Sequence, residues 1–555
     1  MTETVPQIVH AALRTVPQTV HAAFRQAAAR WPDRPFLAVL PETAERYGIE
    51  AGEITYAAAA AVVERLSAAW ARAGFGRSHR VALLTENRPI YFLTWFALNR
   101  LGISVVPINP DLRSAELEYL IGHSEIAAAV VLPERMADIR AAAEVAGRTV
   151  AVVAPGEAPE RAPFDPPRPG TPDADTECGL LYTSGTTGRP KGCVLPNEYF
   201  LEAGRWYAET GGLIALEEGV ERMITPLPVF HMNAMAYSAM AMLMTGGCLI
   251  AVDRFHPKSW WDNVRDSRAT VLHYLGVMPA MLMAAPEDPS DRAHTVRFGF
   301  GAGVPRDLQA PFEARFGFPL IEAWAMTETG AGAVIAATEE PRHVGTNCFG
   351  RAHPTIATRI IAEDGTEAAV DQPGELLVRR AGPEPRFGFF REYLKDPEAS
   401  AEAWSDGWFH TGDVVRRGPD GSFHFVDRKK NVIRRSGENI AAVEVEAVLL
   451  RHPAVKAAAV AATPDPVRGD EVFALIVPHE KPADPQAAVR LAGDVVAHCL
   501  GRLAYYKAPG WIAFAEALPL TSTQKIQRGE LKTAVAERMA AGDVHDTRAL
   551  KKRTA

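Results

Sequence analysis

The stretch GLLYTSGTTGRPKG, from Gly179 to Gly192, has the densest chemistry in the chain. An apolar run, Gly179–Tyr182, reads as a strand leading into a loop that holds Gly185, Gly188 and Gly192. Glycines let backbone N–H groups approach a phosphate closely. The hydroxyls of Thr183, Ser184, Thr186 and Thr187 add neutral donors, and Arg189 and Lys191 add positive charge. These residues predict a site for a polyphosphate. It is not a Walker A loop: the spacing that places Gly-Lys-Ser/Thr in that motif reaches Pro190 when counted from Gly185. A solvent-facing Gly/Thr turn is the bland alternative, and the hydroxyl density, the GRPKG ending and the preceding strand disfavour it.

Other chemistry-bearing residues are ambiguous singly. Thr327–Glu328 in EAWAMTETG would cap a helix. His231 in PLPVFHMNA would be a satisfied core histidine, DRKKNVIRR a solvated basic face, and Lys525 in TSTQKIQR a solvated lysine. Their order resolves the ambiguity. YTSGTTGRPKG, PLPVFHMNA, GAGVP, EAWAMTETG, GWFHTGD, VDRKKNVIRRSGENI and LPLTSTQKIQR run from about residue 20 to 535 and resemble the signatures of the AMP-forming adenylating superfamily. That superfamily holds acyl-CoA synthetases, adenylation domains of nonribosomal synthetases, and luciferases.

The resemblance implies a role for each matching residue. Thr183, Ser184, Gly185, Thr186, Thr187, Gly188 and Lys191 cradle the phosphates of ATP. Gly301, Ala302 and Gly303 lie beside adenine and the acyl carboxylate. Trp324 stands where relatives carry a tyrosine that stacks on adenine, and its indole replaces the phenol with an N–H. Thr327 contacts the AMP phosphate. Glu328 holds Mg²⁺, a hard cation that favours one or two carboxylates plus phosphate oxygens. Asp413 accepts from the ribose hydroxyls, with Arg428 beside it. Lys525 bridges the substrate carboxylate and the α-phosphate as they react, where a fixed charge is worth on the order of 3–4 kcal/mol. His231 gates the acyl site, Gly437 lines the passage for the pantetheine arm of CoA, and Lys430 is the hinge. Gln524 replaces the glycine that usually precedes the catalytic lysine, and Ala325 replaces another family glycine. No carrier-like segment with an attachment serine follows, so free CoA is the expected acceptor and a separate carrier protein the alternative. Local similarity around HMNAMAYSAMAMLMTGG points to the crotonobetaine/carnitine–CoA ligase subgroup. The acid remains open among betaine, fatty, aryl and dicarboxylic classes, and the resemblance leaves a homodimer open. Met232, Met235, Met240, Met242 and Met244 read chiefly as helical core, with an adaptable apolar pocket as the alternative.

The elements that must position these residues read as α/β layers. From about 30 to 170, Ala-rich helical stretches alternate with short apolar strands such as RVALLT and AAAVVL. A Pro- and acid-rich connection at 155–175 reads as flexible surface. RIIAED and GELLVRR suggest a β-rich subdomain, PDG at 419–421 a hairpin turn, and the stretch after about 430 a compact α+β unit. The expected fold is therefore a large multi-layer α/β domain with a β-rich subdomain over 1–427 and a small, mobile α+β domain over 428–555. The near-duplicate VPQIVHAALR and VPQTVHAAFR segments predict helical packing at the start, and DTRALKKRTA a loose tail.

The whole chain sets the bounds. With 555 residues it exceeds one ordinary core. A net charge of −8 gives no basic excess for nucleic acid. No apolar run approaches the about 18 residues that span a bilayer. Five scattered cysteines lack zinc spacing and suit a reducing compartment, so a cytoplasmic enzyme is expected.

Overall fold

The computed structural model describes residues 16–161, 166–183, 190–428, 432–519 and 527–553. Local sequence explains its helices. In Tyr56–Arg72 the buried side chains Tyr56, Ala59, Val63, Leu66 and Trp70 recur at helical spacing, and the Thr55 hydroxyl caps the first turn by accepting from Ala58 N–H. Thr19 does the same for Val20–Arg30, the second of the duplicated segments, whose Val20, Phe24 and Ala27 are buried. The first copy lies outside the described residues.

Four sheets form among the described residues. One runs, in spatial order, Ile335–Ala336, Leu320–Trp324, Phe298–Ala302, Val271–Leu275, Arg222–Thr225, Cys248–Ala251, Pro35–Val39, Gly52–Thr55. Its six inner strands are parallel and its two edges antiparallel. A second joins Ala151–Val153, Ala128–Val131, Arg80–Leu84, Ser104–Pro107, Glu177–Thr183 and Lys191–Pro196. The wholly buried Ala128–Val131 shows why such strands read as unbroken apolar runs: both faces are covered. The third is the β-rich subdomain. In it Ile356–Ile361, Gly374–Arg380, Trp408–Arg417 and Phe423–Arg428 pair antiparallel, and the hairpin predicted at PDG turns at Gly421, φ 83°.

The fourth sheet begins at Val432 and runs to Asp546, with its own core around Ile433, Val445, Val460, Ala474, Val496 and Ile512. The strand ending at Arg428 belongs to the third sheet, so the chain passes from one unit to the next within three undescribed residues that include Lys430. The expected loose tail is instead packed. The Lys551 side chain is fully buried in a salt bridge with Glu471, and Arg553 meets Asp111 of the large unit at 2.8 Å. A buried charge is tolerated when paired and hydrogen-bonded, which composition alone does not reveal.

Candidate active site

The carboxyl ends of the parallel strands open on one cavity of about 540 Å³, where open α/β sheets bind ligands. Val271–Leu275 delivers Leu275, Phe298–Ala302 delivers Gly301 and Ala302, and the strand ending at Trp324 runs on into Thr327 and Glu328. The Gly301–Val304 turn is fixed from behind by Glu322, which accepts from Gly303 N–H at 2.8 Å, Val304 N–H at 3.2 Å and the Tyr274 hydroxyl at 2.6 Å. A side chain at Gly301 would meet the Tyr274 carbonyl oxygen at 2.1 Å, so glycine is required there. Burial raises the Glu322 carboxyl, and its three donors counter that rise in part.

At the phosphate end, Thr183 and Lys191 line the wall with Thr327 and Glu328. Glu328 is buried, and one of its oxygens accepts from the Tyr393 hydroxyl at 2.9 Å. Lys191 Nζ lies 4.8 Å from the Tyr393 ring centre, a cation–π contact, and 3.9 Å from Asp396. Burial, then the charge of Glu328, holds the Tyr393 phenol protonated and a donor. Tyr393 has no motif around it. It arrives because Arg391 and Leu394 donate to the carbonyls of Val194 and Gly192, making 391–394 an added edge beside Lys191–Pro196. Ser184, Gly185, Thr186, Thr187 and Gly188 of the loop lie outside the described residues, as do Lys430, Gln524 and Lys525.

At the opposite end Asp413, 1% exposed, lines the cavity on the strand Trp408–Arg417, in register with Arg428. Trp324 ends the strand Leu320–Trp324, between Ala323 and Ala325 of the cavity wall. Its indole is buried and Nε1–H donates to Asp413 Oδ2 at 2.9 Å. The indole N–H thus orients a carboxylate.

The small unit closes the third side. Arg434, Gly437 and Asn439 reach the cavity. Gly437 has φ +90°, and an added Cβ would lie 2.4 Å from Leu275 Cδ1. His231 Nε2 is 3.3 Å from Glu438 Oε1 across the junction. Burial alone would lower the imidazole, but Glu438 more than offsets it and the His231 pKa is raised; burial would raise Glu438, and His231, Lys507 and Arg553 together hold it low. A second cavity, about 510 Å³, runs from His231 and Thr327 along the junction past Glu438, Tyr119 and Lys507. Of the methionines, Met235, Met240 and Met242 are core, and Met232 lines the first cavity. Among the described residues no cluster of three metal-ligating side chains forms, and no helix is long and apolar enough to cross a membrane.

Comparison with known proteins gives the family. Residues 24–394 match the AMP-binding enzyme family and 444–525 its C-terminal domain. The sulfoacetate–CoA ligase of Cupriavidus necator is 33% identical over 520 residues, 91% of this chain and 95% of that protein. A feruloyl-CoA synthase of Amycolatopsis is 33% identical over 512 residues, 91% and 99% of the two chains. A crotonobetaine/carnitine–CoA ligase of Salmonella agona, the subgroup suggested by local sequence, is 28% identical over 501 residues, 86% and 93%. In three dimensions, o-succinylbenzoate CoA synthetase from Bacillus subtilis, 23% identical, shares the fold. A double mutant bound to a CoA product analogue superposes with TM-score 0.77, covering 92% of this chain and 98% of that one. The same enzyme in complex with AMP superposes with 0.61 over the same shares. The chain belongs to the AMP-binding enzyme family, as an AMP-forming acid–thiol ligase of the acyl-CoA synthetase type.

Proposed function

We propose that this ligase joins a small carboxylic acid to free CoA in two steps at one cavity, and that the structure holds the arrangement of the second step. In the first step the acid's carboxylate attacks the α-phosphate of ATP, forming acyl-adenylate and releasing pyrophosphate. The loop Thr183–Lys191 binds the phosphates, and Asp413, oriented by Trp324, takes the ribose hydroxyls with Arg428 nearby. Gly301, Ala302 and Gly303 flank the adenine and the acyl carboxylate, and Thr327 contacts the phosphate that becomes AMP. Lys525 supplies positive charge between the two reacting groups. Glu328 is the residue that would hold Mg²⁺. It stands beside Lys191 and Thr183 at the phosphate end of the wall, and a single carboxylate completed by phosphate oxygens suits that ion. Bound there, Mg²⁺ would neutralise charge on the departing pyrophosphate.

In the second step the CoA thiol attacks the acyl carbonyl and AMP leaves. The single observation that carries this reading is Gly437 of the small unit set against Leu275 on the wall of the first cavity, which shares His231 and Thr327 with the junction cavity. A thin pantetheine arm can pass close to a bare backbone there, and His231 gates the entrance. The higher TM-score against the CoA-product complex than against the AMP complex supports the same arrangement. Lys430, between the last strand of the third sheet and the first of the fourth, is the hinge about which residues 428–555 turn on residues 1–427.

The named relatives also act by CoA ligation, which favours CoA over a carrier protein. Acid-dependent pyrophosphate release, followed by appearance of a thioester only when CoA is present, tests the reading. An adenylate that forms without CoA turnover would point to a carrier protein instead. The five cysteines are buried and free, in keeping with a cytoplasmic enzyme. Light scattering would distinguish a monomer from a homodimer.

A further inference from the structure

Beyond the nucleotide, the cavity continues into a recess between the strand ends and the segment Asn233–Ala239, which winds as a π-helix. Its walls are Pro228, Met232, Asn233, Tyr237, Leu275 and Phe300. None of these six side chains is charged, while Arg434, Lys191 and Glu328 line the same cavity. The Tyr237 hydroxyl is committed to the Gly330 carbonyl at 3.1 Å. The carboxylate behind the strands, Glu322, is committed to its three donors. His231 at the mouth faces Glu438.

One polar group of the recess is held with unusual care. His273, fully buried, stacks on Tyr207 at 10° between ring planes. Its Nε2 is 3.1 Å from the Tyr207 hydroxyl, and its Nδ1 is 2.9 Å from Asn233 Oδ1 and 2.8 Å from Ser238 Oγ. Burial pushes the imidazole down to about 3, so it is neutral and carries one N–H. One pattern satisfies every group: Tyr207 donates to Nε2, Nδ1–H donates to Asn233 Oδ1 and Ser238 Oγ, and the Ser238 hydroxyl donates to the Asn233 carbonyl at 3.3 Å. The relay uses up the carboxamide oxygen and fixes the plane of the amide. Asn233 Nδ2, with two N–H donors, makes no hydrogen bond within the protein among the described residues, and Asn233 lines the cavity.

We propose that the acid activated here carries a hydrogen-bond-accepting oxygen on an apolar body, and that Asn233 Nδ2 reads that oxygen. This rests on the ligase reading above. An acid lacking the oxygen leaves the Asn233 donors unpaired, and sites built around such a donor discriminate strongly against the deoxy analogue. Asn233 is the specificity-determining residue, and Tyr207 and His273 are positioning residues that act through it.

The test uses the full-length enzyme and acid-dependent pyrophosphate release with matched pairs: 4-hydroxycinnamate and ferulate against cinnamate, and hydroxybutanoates against butanoate. The expected result is that a neutral oxygen-bearing acid exceeds its deoxy partner in kcat/KM by roughly tenfold or more, and that Asn233→Leu brings that ratio close to one. Asn233→Thr, which keeps a donor, should retain part of the ratio, and Tyr207→Phe should lower it mainly through KM. A ratio unmoved by Asn233→Leu and Tyr207→Phe overturns the inference and leaves the ligase reading standing. Pyrophosphate release with no acid at all overturns both.

Discussion

Glu116 offers a direct way to separate the two half-reactions. It sits on the helix Ser114–Ser124 of the large unit, buried. Its Oε1 is 2.6 Å from Lys507 Nζ and its Oε2 accepts from Ala504 N–H at 2.9 Å, both in the small unit. Lys507 also bonds Glu444 of its own unit at 2.8 Å. Burial would lower the Lys507 ammonium, but the two carboxylates outweigh it and keep the ammonium above its ordinary value. If the small unit turns away for adenylation, Lys507 keeps Glu444 and loses Glu116. Glu116 therefore stabilises only the docked arrangement. Glu116→Gln keeps the volume and an acceptor for the Ala504 and Arg113 N–H groups, and removes one charge-assisted contact. Such a contact is worth about 1.5–3 kcal/mol net. Taking about 2 kcal/mol and 1.4 kcal/mol per decade, the docking equilibrium falls roughly 30-fold. Thioester formation from supplied acyl-adenylate and CoA should then slow by about 10- to 30-fold, while acid-dependent pyrophosphate exchange holds or rises. The exposed Arg553–Asp111 pair at the same junction should matter far less. Equal loss of both half-reactions, or no change in either with an unaltered melting temperature, would refute the assignment of this arrangement to the second step.

Further substitutions probe the remaining roles. Lys525→Ala should abolish most pyrophosphate exchange, by about 3–4 kcal/mol of barrier or some hundredfold or more, yet spare thioester formation from synthetic acyl-adenylate. Gly437→Ala places a Cβ 2.4 Å from Leu275 Cδ1 at φ +90°, so stopped-flow thioester formation should fall while adenylation persists, and pairing it with Leu275→Ala should restore part of the loss. Trp324→Phe removes the 2.9 Å donor to Asp413, and KM for ATP should rise about tenfold, more than KM for the acid. The His231–Glu438 contact strengthens the docked arrangement when the imidazole is charged. Because the His231 pKa is raised, that contribution is complete below its ordinary value and lost as pH climbs through the raised one. Glu438→Gln should move this loss to lower pH in the ratio of the two half-reaction rates.

The layers were legible because their cause is local. Helical periodicity in Tyr56–Arg72 and unbroken apolar runs such as Ala128–Val131 report burial directly. Of the site, the blocks named Thr183, Lys191, Gly301, Thr327, Glu328 and Asp413, and the structure gathers these on one cavity wall. What escaped has no local sign. Tyr393 reaches Glu328 only because a stretch near 392 zips onto a strand near 193. Glu322 was in view as part of EAWAMTETG, but its task of bracing Gly303 and Val304 depends on a turn in another strand. The tail read as loose because Lys551 and Arg553 look solvated until Glu471 and Asp111 are placed opposite them.

Trp324 shows how a departure from a family pattern becomes informative once partners are known. In sequence it reads as a ring able to stack on adenine, with an indole N–H in place of a phenol. In the structure the ring is buried and what matters is its N–H, 2.9 Å from a carboxylate that is itself 1% exposed. A buried carboxylate must be satisfied or its ionised form is penalised. The exchange therefore supplies a donor that orients Asp413. Asn233 and His273 repeat that logic at the other end of the cavity: a buried neutral ring fixes an amide, and the amide presents donors to the acid. At both ends the groups that meet the substrates are set by a second residue behind them. Substitution of Trp324, or of Tyr207 and His273, should therefore alter selectivity and KM before it alters the chemistry proposed for Lys525.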